Sequence, residues 1–364
     1  MRSHLKLNPL ILGRSIARNW QFFIPFKKRI GYIGWLGRNN LGDEAMFLAI
    51  RQLFSSLNIL PFKETELLSM YQRFKKSYIY DAIFLGGGTL INSSYLDIFK
   101  EAKSNYKTRV IFGSGVQNPD FWDRVGVHNR LMEWIEPLEA CNFVGVRGPL
   151  SKNILNNHGF HKVKIIGDPG LSFARDEIKR KMRNKTLGVN IGISNGFVWG
   201  NETEILNTVI RLSRILIGDG WKLKFLPVWE NDIPYIEEAV RNIGAETETF
   251  KNWESIDQTL DFLEQCDLFI GEKLHSVIFA TCVYTPSIML EYRPKCLDFM
   301  LSMGLEEFTV RTDGLSIDLI LNLIQRLSEN LEGIQDRMFE KTSYYKKIQA
   351  KCADDISTYL IRLK

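Results

Sequence analysis

The chain has 364 residues, of which 45% are hydrophobic and 24% charged, with a net charge of +5. Those values fit an ordinary globular protein long enough for two domains, and they exclude a disordered chain or a nucleic-acid binder built on a basic stripe. The five cysteines are too few and too scattered for a disulfide framework or a zinc site, which points to a reducing, cytoplasmic setting, and no run approaches the roughly 18 apolar residues of a membrane span.

Residues 1–29 carry seven basic side chains and no acidic one, interleaved with apolar and aromatic residues from Leu10 to Phe26. Pro9 and Gly13 break the apolar run, so it makes a poor signal-peptide core. Two readings stand: a peripheral contact with an anionic membrane surface at its inner face, or a tail packed on the first domain. Strands are predicted over 29–37, 80–85, 109–112, 143–146 and 163–166, each ended by a glycine turn, with a helical pattern over 43–57. The charged stretch 175–185 reads as a linker. The rhythm then restarts with strands over 187–193, 222–227, 267–270 and 287–290. Helices are expected over 201–217, capped by Asn201, over 256–266, capped by Ser255, and over 295–303. Two more helices are read across 319–363.

This alternation is that of parallel sheets with crossover helices. The expected class is α/β, with two Rossmann-like domains facing a cleft. The expected division is a basic segment 1–29, an N-terminal domain 30–178, a C-terminal domain 179–335 and a final helix 336–364.

Four places gather reactive or anion-binding groups. Lys273 and His275 open the helix that follows the 267–270 strand. A helix start offers free N–H groups and partial positive charge, so a cation and an imidazole there suit a phosphate or carboxylate, with a proton donor or acceptor beside it; a capping or packing histidine is the alternative. In Gly34–Ala45, Asn39 and Asn40 supply amides, and Asp43 either takes a proton or caps the following helix; the glycine spacing is not that of a dinucleotide site. Gly86-Gly87-Gly88-Thr89 reads as a tight strand-to-helix turn that contacts substrate through Gly87 and Gly88. Arg147 ends a strand before a helix opened by Pro149, and can fork two hydrogen bonds to an anion or form an interdomain salt bridge. No metal is expected, since no H-E-x-x-H or His-Cys cluster is present.

Taken together, five blocks resemble the polysaccharide pyruvyl transferases in order and spacing: Gly34–Ala45, Phe84–Gly88, Arg147-Gly148-Pro149, Gly167–Leu171 and Gly271–Ser276, completed by Pro286 and Tyr292-Arg293-Pro294-Lys295. The resemblance implies a fold like that of the B-type glycosyltransferases. It implies transfer of a pyruvyl group from phosphoenolpyruvate, the co-substrate, to a sugar of a cell-surface glycan or its lipid-linked oligosaccharide precursor, as a ketal. No cofactor is implied. It places Arg147, Lys273 and Lys295 on the donor and makes His275 the acid or base. The family usually has Arg-Leu-His where this chain has Lys273-Leu274-His275, which keeps the charge and loses the bidentate fork. The rival readings are a nucleotide-sugar-dependent glycosyltransferase, with Glu291 holding a ribose, and a non-catalytic relative that binds glycan or phosphate.

Overall fold

The computed structural model describes residues 27–62, 80–105, 108–179, 184–245 and 247–363. Two wholly parallel sheets organise them. The first comprises β1 (Arg29–Ile33), β2 (Asn58–Pro61), β3 (Ala82–Leu85), β4 (Gly88–Ile91), β5 (Arg109–Val116), β6 (Phe143–Val146) and β7 (Lys164–Ile165), in the order β2-β1-β3-β5-β6-β7, with β4 paired to β5. The second comprises β8 (Thr186–Asn190), β9 (Lys222–Phe225), β10 (Glu248–Thr249), β11 (Leu268–Gly271), β12 (Ser287–Glu291) and β13 (Thr309–Arg311), in the order β10-β9-β8-β11-β12-β13. Each sheet reverses its winding once, between β1 and β3 and between β8 and β11. Such switch points open a crevice at the carboxyl ends of the strands, where open α/β sheets bind ligands. Helices cover the sheets, and the strands are buried almost throughout, as parallel sheets require.

Two expectations are corrected. Gly86–Thr89 is not a strand-to-helix turn: Gly88 opens β4, which pairs with β5 at Gly88↔Ser114 and Ile91↔Val116 before the helix Ser93–Asn105 begins. The β5 strand accordingly runs on through the glycines to Val116. Propensity gives no sign of a glycine-led strand; its partner, distant in sequence, supplies it. Asp43 is also not a cap. The side chain of Asn40 accepts from the N–H groups of Gly42 (3.0 Å) and Asp43 (3.3 Å), so Asn40 caps the helix Leu41–Leu53 and Asp43 sits in its first turn. The Asn201 and Ser255 caps form as expected.

The last helix, Leu331–Arg362, belongs to both halves. Leu331, Ile334, Met338 and Tyr345 pack into the core of the second sheet, and Ala353, Ile356 and Leu360 pack on the first. With buried Thr342 and Gln349 filling the gaps, a spacing of three and four residues keeps one stripe buried along the helix. Of the basic N-terminal segment, only Lys27, Lys28 and Arg29 fall among the described residues, so the membrane reading of 1–29 lies largely outside them. Lys27 donates to Ser55 O (2.8 Å), and Lys28 to Leu363 O (2.9 Å) and Asp81 (3.4 Å). Among the described residues no helix is long and apolar enough to cross a membrane.

Candidate active site

Three helices begin on the wall of the crevice between the sheets, Leu41–Leu53, Leu274–Cys282 and Pro294–Met303, and a fourth, Pro149–Asn157, starts two residues after Arg147, which lines it. Proline at the first position suits both Pro149 and Pro294, since an N–H there would have no partner. Converging helix starts make the crevice electropositive without any side chain. Its volume is about 390 Å³, and Asn40, Asp43, Gly88, Arg147, Lys273, His275 and Lys295 all line it. The crevice thus joins seven residues singled out from sequences up to 255 positions apart (295 less 40). Gly87 is not on its wall; a Cβ there would lie 2.8 Å from Met46 Cγ, so packing on the helix demands that glycine. Gly88 adopts φ +99°, in the region that favours glycine.

Arg147 is fully buried and its Nε donates to Asp168 Oδ2 at 2.7 Å. The partner lies in the same half of the chain, so the interdomain salt bridge is not what forms. Nη1 and Nη2 are buried with no protein partner. Leaving such donors unmet costs free energy, and an anion between them removes that cost. Asp168 is in turn held: its Oδ1 accepts from Gly170 N (2.9 Å), and Gln349 of the last helix donates to the carbonyls of Ile166 (3.0 Å) and Asp168 (2.8 Å).

His275 is packed flat on the Leu41–Leu53 helix. A Cβ on Gly42 would lie 1.9 Å from its Nδ1, so only glycine fits below the ring. Its Nε2 has no protein partner. Burial, reinforced by the positive charges of Lys295 and Arg147, holds the imidazole well below its ordinary pKa, so at neutral pH it is uncharged. Burial also lowers Lys295 to about 7, with Arg293, Arg147 and Lys273 adding repulsion. It raises Asp43 to about 7, against the pull of Lys295. Groups driven toward neutrality from both ends of the scale are what proton transfer at neutral pH needs.

Lys273 differs from expectation. Its ammonium donates to Ile193 O and to Ser194 Oγ (3.2 Å) and lies 3.6 Å from Asp232 Oδ1, a carboxylate with no exposure. It therefore anchors the loop after β8 while forming part of the wall. Removing the cation leaves Asp232 buried without its counter-charge. Lys273→Met is expected to destabilise the fold by about 3–5 kcal/mol, read as a fall in the urea midpoint. Lys273→Arg should stay folded and keep donor binding. Donor calorimetry on the arginine variant and a melt of the methionine variant check the two halves of that expectation.

Sequence reasoning missed several residues on the wall. Thr89 presents a buried hydroxyl with no partner. Arg293 donates through Nε to Phe197 O (2.6 Å) and through Nη2 to Ser194 O (3.2 Å), with its guanidinium 5.8 Å from both the Trp122 and Phe197 rings. Trp35 and Trp229 meet edge to face at 5.6 Å. No spacing rule marks these aromatics, because they come from loops and the short helix Pro119–Arg124, drawn from both halves. Glu291, the expected ribose residue of the nucleotide-sugar reading, accepts from Trp199 Nε1 (3.2 Å), is 6% exposed and is not on the crevice wall.

Known proteins agree with this arrangement. The chain is similar in fold to Os79 from O. sativa, solved in complex with UDP, at 10% identity and a TM-score of 0.58 over 91% of this chain and 100% of that one. It is similar to a glycosyltransferase from Rickettsia africae ESF-5, at 7% identity and a TM-score of 0.56 over 93% and 100% of the two chains. At those identities the likeness concerns fold alone, and the fold is that of two Rossmann-like domains facing a cleft, as in B-type glycosyltransferases. A search of curated proteins finds no significant match. The sequence profile of the polysaccharide pyruvyl transferases matches residues 40–294, which is more than half of the chain and takes in every candidate site residue except Lys295. The chain belongs to the polysaccharide pyruvyl transferase family, and so to the transferases that modify glycans.

Proposed function

We propose that the protein transfers the pyruvyl group of phosphoenolpyruvate to a sugar of a cell-surface glycan or its lipid-linked precursor, forming a ketal. The observation that carries this reading is the pair of buried, unpartnered guanidinium nitrogens of Arg147, facing the same crevice as Lys295 and the uncharged His275. Phosphoenolpyruvate brings a phosphate and a carboxylate on one small carbon frame. Arg147, Lys295 and the helix starts meet those charges.

In the reaction a sugar hydroxyl oxygen bonds to the central enol carbon, and a proton joins the methylene carbon, which becomes a methyl. The bond from the central carbon to the phosphate oxygen breaks and inorganic phosphate leaves. A second hydroxyl adds at that central carbon and closes the ketal, and its proton leaves with the phosphate. His275 starts uncharged, so its first task is to take the hydroxyl proton. Asp43, raised to about 7 by burial, carries a proton in part at neutral pH and is suited to give one to the methylene. The anionic donor offsets the repulsion from Lys295 and Arg147 that adds to burial in keeping His275 uncharged, which favours its protonated form once the hydroxyl has reacted.

The acceptor belongs on the aromatic side of the crevice, on Trp122 and Phe197, whose rings lie 5.5 Å apart beside Arg293. Contact of residues 1–29 with an anionic membrane would bring a lipid-linked acceptor near. Incubation with phosphoenolpyruvate and a glycan panel tests the reading through coupled phosphate release and acceptor mass gain, with nucleotide sugars as the control; turnover of a nucleotide sugar and none of phosphoenolpyruvate would overturn it. Trp122→Ala should weaken the acceptor by roughly 0.5–1.5 kcal/mol, the range of a ring-stacking contact, and leave the donor KM unchanged.

A further inference from the structure

Asp298 lies outside the sequence motifs and touches no group of the reaction, yet it is buried at the seam between the two halves. The helix Pro149–Asn157 has no cap of its own, because Gly148 precedes it and offers no side chain. Asp298, one turn into the helix Pro294–Met303 of the other half, fills that role. Its Oδ1 accepts from Leu150 N (2.8 Å) and Ser151 N (3.2 Å), and its Oδ2 accepts from the Ser151 hydroxyl (2.6 Å). Ser151 Oγ also accepts from Val116 N (3.0 Å), at the end of β5. The fit is close: a Cβ on Gly148 would lie 2.3 Å from Asp298 O.

The two residues flanking this cap are the ones that matter. Gly148 follows Arg147 directly. Lys295 lies three residues before Asp298 on the same helix. One carboxylate therefore ties the backbone that carries the guanidinium to the helix that carries the ammonium.

We propose that Asp298 is a positioning residue: by capping the Pro149–Asn157 helix from the opposite domain, it sets Arg147 and Lys295 at the separation the donor's two anionic groups require. The inference rests on the donor-site reading above. An N-terminal cap alone would only hold a helix; this one spans the domains whose relative placement builds the crevice.

The test is calorimetry with phosphoenolpyruvate, and with inorganic phosphate as a smaller probe, on wild type, Asp298→Ala, Asp298→Asn, Arg147→Lys and the Arg147→Lys/Asp298→Ala double variant. Asp298→Ala is expected to weaken phosphoenolpyruvate about tenfold and phosphate less, because phosphate does not need both cations at a set distance. Asp298→Asn keeps the oxygen that accepts from Leu150 and Ser151, and should restore affinity to within about threefold of wild type. If the residues act as a unit, the double variant should lose much less than the product of the single losses. Ser151→Ala, which removes only the hydroxyl tie, should shift affinity in the same direction and covers the case in which Asp298→Ala does not fold. Wild-type affinity in a folded Asp298→Ala or, where that variant does not fold, in Ser151→Ala overturns the inference and leaves the donor site standing, as does strict multiplication of the losses. A wild type that binds neither anion removes the donor site, and the inference with it.

Discussion

His275→Ala is expected to lower turnover by roughly a hundredfold or more, the usual share of a positioned acid or base. Binding of phosphoenolpyruvate should change little, because Arg147 and Lys295 carry the charge recognition. The geometry sharpens this expectation. The ring rests on Gly42, its Nε2 meets no protein atom, and it is uncharged in the free protein. The pH dependence follows from two signs. His275 has its pKa depressed, so the base form is present at neutral pH and is lost only as pH falls through that low value. Lys295 is lowered to about 7, so the cation that holds the donor is present below that pH and is lost above it. Donor affinity should therefore weaken as pH rises from about 6 to 9, and the acid-side fall in turnover should vanish in His275→Ala. Stopped assays of phosphate release from acid pH, below the ordinary histidine range, up to about 9 measure both limbs; a variant within a few-fold of wild type, with both limbs intact, would remove His275 from the chemistry.

Arg147→Ala should have two large effects that must be separated. Loss of the charge-assisted hydrogen bonds to the donor is worth about 1.5–3 kcal/mol of phosphoenolpyruvate affinity. The same substitution strands Asp168, which is fully buried and pairs with Arg147 Nε at 2.7 Å. Removing one partner of such a pair costs about 3–5 kcal/mol of stability, a large share of a domain's total. Low activity in Arg147→Ala would therefore report unfolding as readily as a lost ligand. Arg147→Lys keeps a cation beside Asp168 and gives up the fork. It is expected to melt near wild type while losing much of the donor affinity, and parallel calorimetry and thermal melts distinguish the two. Unchanged affinity in a folded Arg147→Lys would mean that Nη1 and Nη2 do not meet the donor.

Much of the fold was legible in the chain because several parallel strands are short apolar runs ended by glycine, as before Gly34 and Gly86 and at Gly271, and each of the stronger helices announces its start with a cap such as Asn201 or Ser255. Periodicity and capping are local properties, and local properties survive in one dimension. The strand β4 was not legible, since Gly88 becomes a strand residue only when β5 lies beside it. The double allegiance of the last helix was equally hidden: its buried stripe is plain from spacing, but which core each turn enters depends on where the chain has returned to.

The same division holds at the site. By sequence alone Arg147 and His275 could be chosen, because strand ends and helix starts are where α/β proteins keep their ligands, and Lys295 came in through the family resemblance. Tertiary structure decided what each is free to do. Arg147 keeps two donors open because Asp168 takes only the third nitrogen, while Lys273 spends its protons on Ile193, Ser194 and Asp232. Asn40 turned out to be the cap and Asp43 the group left facing the crevice. Hydrogen-bond satisfaction is settled between residues far apart in the chain, and so are the burial and neighbouring charges that move the titrations of Asp43 and Lys295 toward neutrality and keep His275 uncharged.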